Sequence, residues 1–293
     1  MPDIQKLLPK RGQDSHKGDF GHLLSVCGSE RYQGAAVLAA LGAVRCGAGL
    51  VTAAFPRAAY APIAAKLTTT PLLPLPGNRQ GTLHVSALPP LREAIKGKSA
   101  VLLGCGLGLN ADTKEIVQTL LSEIACPLVL DADGINAVAA HMHGEGESNP
   151  LGRDSRACAL PVLTPHPGEM ARLAALTIEE IQRDRVQCAQ QFANTYHCVL
   201  VLKGAGTVVA APGREAYVNA TGNAGLAKGG SGDLLAGMTA SLLAQGMDAY
   251  DAAVCAVYLH GLAADRAAAR FSQRGMTALD CARELKGIFS LFE

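Results

Sequence analysis

The stretch Ser99-Ala100-Val101-Leu102-Leu103-Gly104-Cys105-Gly106-Leu107-Gly108, continued by Pro127-Leu128-Val129-Leu130-Asp131-Ala132-Asp133, decides the fold. An apolar run enters a glycine-dense turn, an amphipathic helical pattern fills residues 113–124, and a second apolar run ends in two aspartates. Short runs that are apolar throughout, instead of alternating, read as strands buried on both faces. That environment arises when helices cover both sides of a mostly parallel sheet. Polar and glycine-rich residues then collect at the carboxyl ends of the strands, where open α/β sheets bind ligands.

The same grammar extends in both directions. Residues 22–27 read as a strand ending in Gly28-Ser29, followed by a helix of Ala and Leu over 35–45 and a strand over 50–54. Small side chains in that helix predict close packing on the sheet. The proline-rich residues 71–76 read as a surface connection, residues 134–140 as a helix, and the polar residues 141–155 as a surface loop. A strand over 161–163 delivers Thr164-Pro165-His166-Pro167-Gly168-Glu169, and a helix is expected over 179–195. A strand over 198–202 ends in Lys203-Gly204. Residues 207–210 and 215–218 suit a hairpin around Pro212-Gly213, and two long helices, 233–245 and 251–271, close the chain. The expected architecture is a three-layer α/β/α sandwich around a mostly parallel sheet. Without a break in composition or an internal repeat, residues 1–293 read as one domain.

Composition narrows the function. A formal net charge of +1 and 4% aromatic residues offer neither the basic surface nor the stacking platforms that nucleic acid requires. The 49% hydrophobic content supports a thick core. The nine cysteines include no C-x-x-C pair, so reduced, mostly buried thiols in a cytoplasmic protein are expected. The polar first twenty residues show no signal peptide, and no segment is apolar enough to span a bilayer.

The chemistry concentrates in Asn223-Ala224-Gly225-Leu226-Ala227-Lys228-Gly229-Gly230-Ser231-Gly232-Asp233. A glycine turn opening onto a helix makes an anion cradle from backbone amides and the positive end of the helix dipole. A carboxylate delivered to that point suits a base acting on a group that attacks phosphorus, with the amides of Ser231 and Gly232 on the phosphate. The structural alternative is Asp233 as an ordinary helix cap. Lys203-Gly204-Ala205-Gly206-Thr207 suits nucleotide phosphate or ribose, or simply a tight turn. It is not a Walker A sequence. His166, fixed between two prolines, suits a hydrogen bond to substrate or phosphate. Glu169 suits Mg²⁺ held through water, or the first turn of the next helix. Asp131 and Asp133 reach a cleft, or one caps the following helix. No histidine shows zinc-ligand spacing.

Together these motifs resemble the ADP- or ATP-dependent NAD(P)H-hydrate dehydratases of the ribokinase-like superfamily. The match runs through residues 16–21 (His16-Lys17-Gly18 onward), 34–51 (Gly34-Ala35 onward), 104–108, 131–136, 164–169, 203–207 and 219–237, which together span almost the whole chain. The resemblance implies a lyase of metabolite repair. It phosphorylates the C6 hydroxyl of the S epimer of hydrated NADH or NADPH, using ADP, with ATP as the alternative donor, and Mg²⁺. Phosphate loss then restores the reduced cofactor, leaving AMP. It implies that Ala35, Gly106, His166 and Asp233 contact the hydrated dinucleotide, and that Lys203, Gly204, Ala205, Gly206, Thr207 and Gly232 contact the adenine nucleotide. Asp233 is the implied base. Lys17, Asp131, Asn136 and Asn223 are further candidate contacts to substrate or phosphate. The resemblance also implies a homo-oligomer, often a tetramer, and a functional link to a separate epimerase, since no residues are left over for one. Cys105 replaces a common proline and Ser231 a common threonine. Competing readings are a small-alcohol kinase, a non-catalytic nucleotide-binding protein and a Rossmann-type oxidoreductase. The last lacks its G-x-G-x-x-G sequence after the first strand.

Overall fold

A computed structural model describes residues 2–143, 151 and 159–292. Its strands are β1 (His22–Val26), β2 (Leu50–Pro56), β3 (Leu72–Leu75), β4 (Ala100–Leu103), β5 (Leu128–Leu130), β6 (Val162–Leu163), β7 (Val199–Leu202), β8 (Val208–Ala210) and β9 (Tyr217–Val218). They form one sheet in the order β3-β2-β1-β4-β5-β6-β7-β8-β9. The pairs from β3 to β7 are parallel, and β8 and β9 extend the edge as the expected antiparallel hairpin.

Helices cover both faces. On one lie α1 (Ile4–Leu7), α2 (Gln33–Arg45), α3 (Tyr60–Ala64), α10 (Ser231–Ala244), α11 (Ala249–Gly275) and α12 (Ala278–Phe289). On the other lie α4 (Leu88–Ile95), α5 (Ala111–Glu123), α6 (Asp133–Met142), α7 (Pro167–Ala174), α8 (Ile178–Arg183) and α9 (Arg185–Tyr196). The strands are apolar throughout because successive residues enter different cores. Val101, Leu103, Leu128 and Leu130 pack into one, and Leu102 and Val129 into the other.

The chain departs from the sequence expectation in four places. Residues 71–76 contain strand β3, not merely a connection. As an edge strand, β3 tolerates Pro74, which has no N–H to donate. The helix expected over 179–195 breaks at Asp184, whose extended backbone (φ −148°, ψ 86°) lets its side chain accept from the Gln187 amide and start α9. A further helix, α12, follows α11 and begins at a Thr277–Asp280 capping box. The small residues of α2 serve contact with α10 as well as with the sheet: a methyl group on Gly237 would lie 2.0 Å from the Ala39 carbonyl oxygen, and one on Gly42 2.4 Å from that of Leu234. Of the polar stretch 141–155, residues 144–150 and 152–155 lie outside the described residues, as does Cys158. Among the described residues no helix is long and apolar enough to cross a membrane.

Candidate active site

From β1 the chain moves outward to β2 and β3, then returns to place β4 on the other side of β1. The connections after β1 and β4 therefore diverge and leave a crevice at the strand ends. The Gly28 amide ties the two turns together by donating to the Cys105 carbonyl at 2.7 Å. A cavity of about 660 Å³ occupies this crevice. Ser29, Tyr32 and Ala35 line it from the β1 side, Gly106, Gly108 and Leu109 from the β4 side, and Asp133 and Asp233 complete its acidic wall. Ser29, Arg31 and Tyr32, within the stretch 28–35 that sequence reading gave as either a ligand turn or a plain turn, also line it, as do Gln80, Thr82 and Asn110, which sequence reading missed. The strand order, which no local motif encodes, is the signal that finds them.

Helix α10 starts beside this cavity. Its N-cap is Gly230 in the left-handed region (φ 95°), where a side chain would strike Leu38 at 2.5 Å. No side chain caps the helix, and the amides of Gly232 and Asp233 find no acceptor among the described residues. The Ser231 amide, expected on phosphate, instead points at the Lys228 carbonyl at 3.4 Å. Asp233 is the third residue of the helix, so the reading of Asp233 as a cap does not hold. A methyl on Gly232 would sit 3.2 Å from Lys203 Nζ, so the free amides and the ammonium converge on one spot.

Three side chains meet there. Single ligand atoms of Cys105, Asp131 and Asp233 lie within 4.8 Å of one another. Asp131 is 2% exposed, and its Oδ1 accepts from Lys203 Nζ and from Thr164 Oγ1, both at 2.7 Å. Burial alone raises the Asp131 carboxyl, but Lys203, Thr164 and the Cys105 thiol together hold it below the ordinary range. Burial likewise works against the Lys203 charge, and Asp131 and Glu169 overcome it to raise Lys203 to about 12. Asp233 has no such ion pair. Burial, reinforced by Asp131, pushes it up to about 6. Between β5 and α6, Ala132 adopts φ 49°, ψ −114°, a strained turn next to Asp131.

His166 and Glu169 form a reciprocal cap on α7. The His166 Nδ1 accepts from the amides of Gly168 and Glu169, and the Glu169 Oε2 accepts from the His166 amide at 2.7 Å. The His166 Nε2 faces Glu169 Oε1 at 3.3 Å. Burial, then Lys203, lowers the His166 imidazole, whose Nδ1 serves as the acceptor in this cap. Glu169 is 4% exposed and lies 3.8 Å from Lys203, so it occupies the helical first turn that sequence reading gave as its alternative role.

A family model described as NAD(P)H-hydrate dehydratase matches residues 23–286. The chain belongs to this family. A bifunctional NAD(P)H-hydrate repair enzyme, Nnr, of Moorella thermoacetica is 43% identical over 274 residues, covering 93% of this chain and 50% of that protein. The chain thus spans about half the length of several curated relatives it matches. An ADP-dependent (S)-NAD(P)H-hydrate dehydratase of Neisseria meningitidis is 39% identical over 87% of this chain and 80% of that protein. The crystal structure of the ADP/ATP-dependent NAD(P)H-hydrate dehydratase of Bacillus subtilis, co-crystallized with ATP/Mg²⁺, superposes with a TM-score of 0.83 at 31% identity. It covers 99% of this chain and 96% of that one. The three-layer fold is ribokinase-like, as expected.

Of the residues the family resemblance implies, the fold gathers Ala35, Gly106 and Asp233 in the cavity wall. It also brings Lys203 to Gly232, beside Asp131. A methyl on Gly106 would lie 2.7 Å from the Ala35 Cβ, so the two turns touch. Gly204, Ala205 and Gly206 are exposed at the end of β7, and Thr207 Oγ1 donates to the Gly204 carbonyl. Other candidates do not line this cavity. Asn223 accepts from the Gly225 amide and donates to Asp265, and Asn136 accepts from Arg172 Nε. Lys17 is exposed, with its carbonyl packed against Gly49. Lys228 caps the end of α11 by donating to the carbonyls of Gln273, Arg274 and Met276.

Proposed function

We propose that the chain dehydrates the S epimer of hydrated NADH or NADPH, with ADP as phosphoryl donor and ATP as the alternative. The single observation that carries this reading is the position of Asp233. It lies in the cavity wall, on the helix whose free amides and neighbouring ammonium make an anion site. The terminal phosphate sits at the amides of Gly232 and Asp233 with Lys203, and the C6 hydroxyl lies in the cavity. Asp233 accepts the hydroxyl proton as oxygen attacks phosphorus. The new C6–O–P linkage turns a poor leaving group into a good one. The ring nitrogen lone pair then expels phosphate, and loss of the C5 proton restores the double bond.

The donor chemistry fits Mg²⁺ bound mainly to nucleotide phosphates and water. Asp131 is engaged by Lys203, and Glu169 by His166, so protein carboxylates serve through water. Such an ion supplies neutralisation of charge on the transferring phosphoryl group. Residues 1–293 act as one catalytic unit in this proposal, and interconversion of the epimers falls to a separate active site. A cytoplasmic setting and a homo-oligomer, with the tetramer to be checked by sedimentation, belong to the same proposal.

The test offers pure hydrated NADH and NADPH, each with ADP and with ATP, and follows the reduced-nicotinamide absorbance band. Recovery of the band with stoichiometric AMP is expected. A stable phosphoester with no recovery favours a small-alcohol kinase. Tight ADP binding with no turnover favours a non-catalytic protein.

A further inference from the structure

The loop that leads into the anion site hangs on one lysine that the proposed chemistry does not touch. Lys228 lies two residues before Gly230, the N-cap of α10. Its Nζ donates to the carbonyls of Arg274 and Met276, both at 2.6 Å, and to that of Gln273 at 3.2 Å. An ammonium has three N–H donors, and three backbone acceptors meet it here, so its orientation is fixed. The receiving backbone departs from an ordinary helix end. Ser272 interrupts α11 at φ 65°, ψ 160°, a region almost reserved for glycine. Its carbonyl accepts from the Met276 amide at 3.0 Å, and its Oγ accepts from the Gly275 amide at 3.2 Å. The chain past the break is thus a closed turn, and three of its carbonyls converge on one cation.

The other end of the link is the turn 226–231. The Lys228 amide donates to the Leu226 carbonyl at 2.8 Å, and the Lys228 carbonyl faces the Ser231 amide at 3.4 Å. The same loop lies directly on the junction of α11 and α12. A methyl on Gly225 would collide with Met276 Sδ, and one on Gly230 would lie 3.5 Å from the Ala278 Cβ. A methyl on Gly229 would meet nothing within 4 Å, so the segment between Lys228 and α10 has little packing of its own. Glycine loses more conformational freedom on ordering than any other residue, so contacts outside Gly229 and Gly230 must hold them in place.

We propose that Lys228 is the positioning residue of the anion site. Its ammonium locks the turn 226–230 onto residues 273–276 and so fixes the amides of Gly232 and Asp233 for the donor's terminal phosphate. Lys228 acts through the loop and touches neither substrate. This role rests on the seat that the dehydratase reading gives the donor's terminal phosphate. ADP places its β-phosphate at those amides, whereas AMP has none to place, so only ADP should sense the lysine.

Titration calorimetry with ADP and with AMP separates this role from plain stabilisation. Lys228→Ala is expected to weaken ADP about 5- to 20-fold and AMP by less than about twofold. With hydrated NADH and ADP, kcat should fall about 10- to 100-fold while the KM for hydrated NADH stays within about twofold. Propylammonium replaces the atoms from Cγ to Nζ that the substitution removes. Propylammonium chloride should restore part of the ADP affinity and of kcat to Lys228→Ala, and equal sodium chloride should restore neither. Arg266, also on α11, donates to the Gly287 carbonyl at 2.8 Å. Arg266→Ala loses a comparable bond to backbone and should match wild type in both readouts. Equal weakening of ADP and AMP in Lys228→Ala overturns the proposal and leaves the lysine an ordinary helix cap. Unchanged ADP affinity overturns it too, as does a gain with propylammonium no larger than with sodium chloride. If Lys228→Ala fails to fold, Lys228→Gln, which keeps amide donors without the charge, carries the same comparison of ADP with AMP. If the wild type binds ADP but turns over no hydrated cofactor, the dehydratase reading fails, while an ADP-selective loss in Lys228→Ala still upholds the role of the lysine. If the wild type is active and Lys228→Ala is identical to it, the inference alone fails.

Discussion

Asp131, at the end of β5, and Asp233, in the first turn of α10, are the same residue type a few ångströms apart, with carboxyls shifted in opposite directions. Asp131 is the more buried, yet its carboxyl lies below the ordinary range because Lys203 and Thr164 bond to it directly. Asp233 has no direct cation and is raised to about 6. Burial penalises both charges, and the bonded partner decides which way each carboxyl shifts. Two carboxyls driven apart in this way can divide the work: a fixed anion that positions Lys203, and a base poised near the working pH.

That contrast is broken most severely at Asp131. Asp131→Asn leaves Lys203 nearly buried with only the more distant Glu169, and should cost about 3 kcal/mol or more in urea unfolding. In whatever fraction folds, loss of the Asp131 charge should lower the Asp233 carboxyl, moving the acid limb of kcat/KM to lower pH. An unmoved limb would show that the two carboxyls do not communicate.

A smaller effect follows from the Asp233 shift. Its folded-state value, about 6, exceeds the unfolded value of 3.8. Ionisation therefore destabilises the fold as pH rises between these values, and the penalty is complete above about 6. Asp233→Asn removes the charge and keeps the shape. It should be more stable than wild type at pH 7–8, by on the order of 1–3 kcal/mol, with the difference vanishing toward pH 4. Thermal unfolding across that range checks the sign.

The smallest effect separates two copies of one local device. His16-Lys17-Gly18-Asp19 and His166-Pro167-Gly168-Glu169 each form a reciprocal cap between histidine and an acid three residues on. The first is exposed, while the second is packed against Lys203. Asp19→Asn should change stability by under about 1 kcal/mol and leave turnover intact. Glu169→Gln should raise the KM for hydrated substrate by freeing His166. Equal effects at both positions would mean that the cap, and not its surroundings, sets the role of His166.

The same contrast shows what local sequence carries. The strand cores were legible because each residue enters one of two helix-covered faces, which makes residues 100–103 and 128–130 continuously apolar. The glycine turn opening onto α10 was legible because Gly230 and Gly232 permit what side chains would block. Asn223 was a candidate phosphate contact from its proximity in sequence to residues 229–233, and in the structure its side chain bonds Asp265 and the Gly225 amide. The Asp184 break was hidden because an Asp within charged helical sequence reads as solvated surface. The Thr277–Asp280 cap was a readable but unused sign of α12. The cavity wall at Gln80, Thr82 and Asn110 came only with the strand order, a non-local property.

The division between the two aspartates is tested most directly by turnover in Asp233→Asn, measured as recovery of the reduced-nicotinamide band with saturating hydrated NADH and ADP. Asn keeps size and hydrogen bonding but cannot take the proton, so kcat should fall about 10²- to 10⁴-fold while ADP still binds. Turnover within a few-fold of wild type would contradict the assignment of Asp233 as the base.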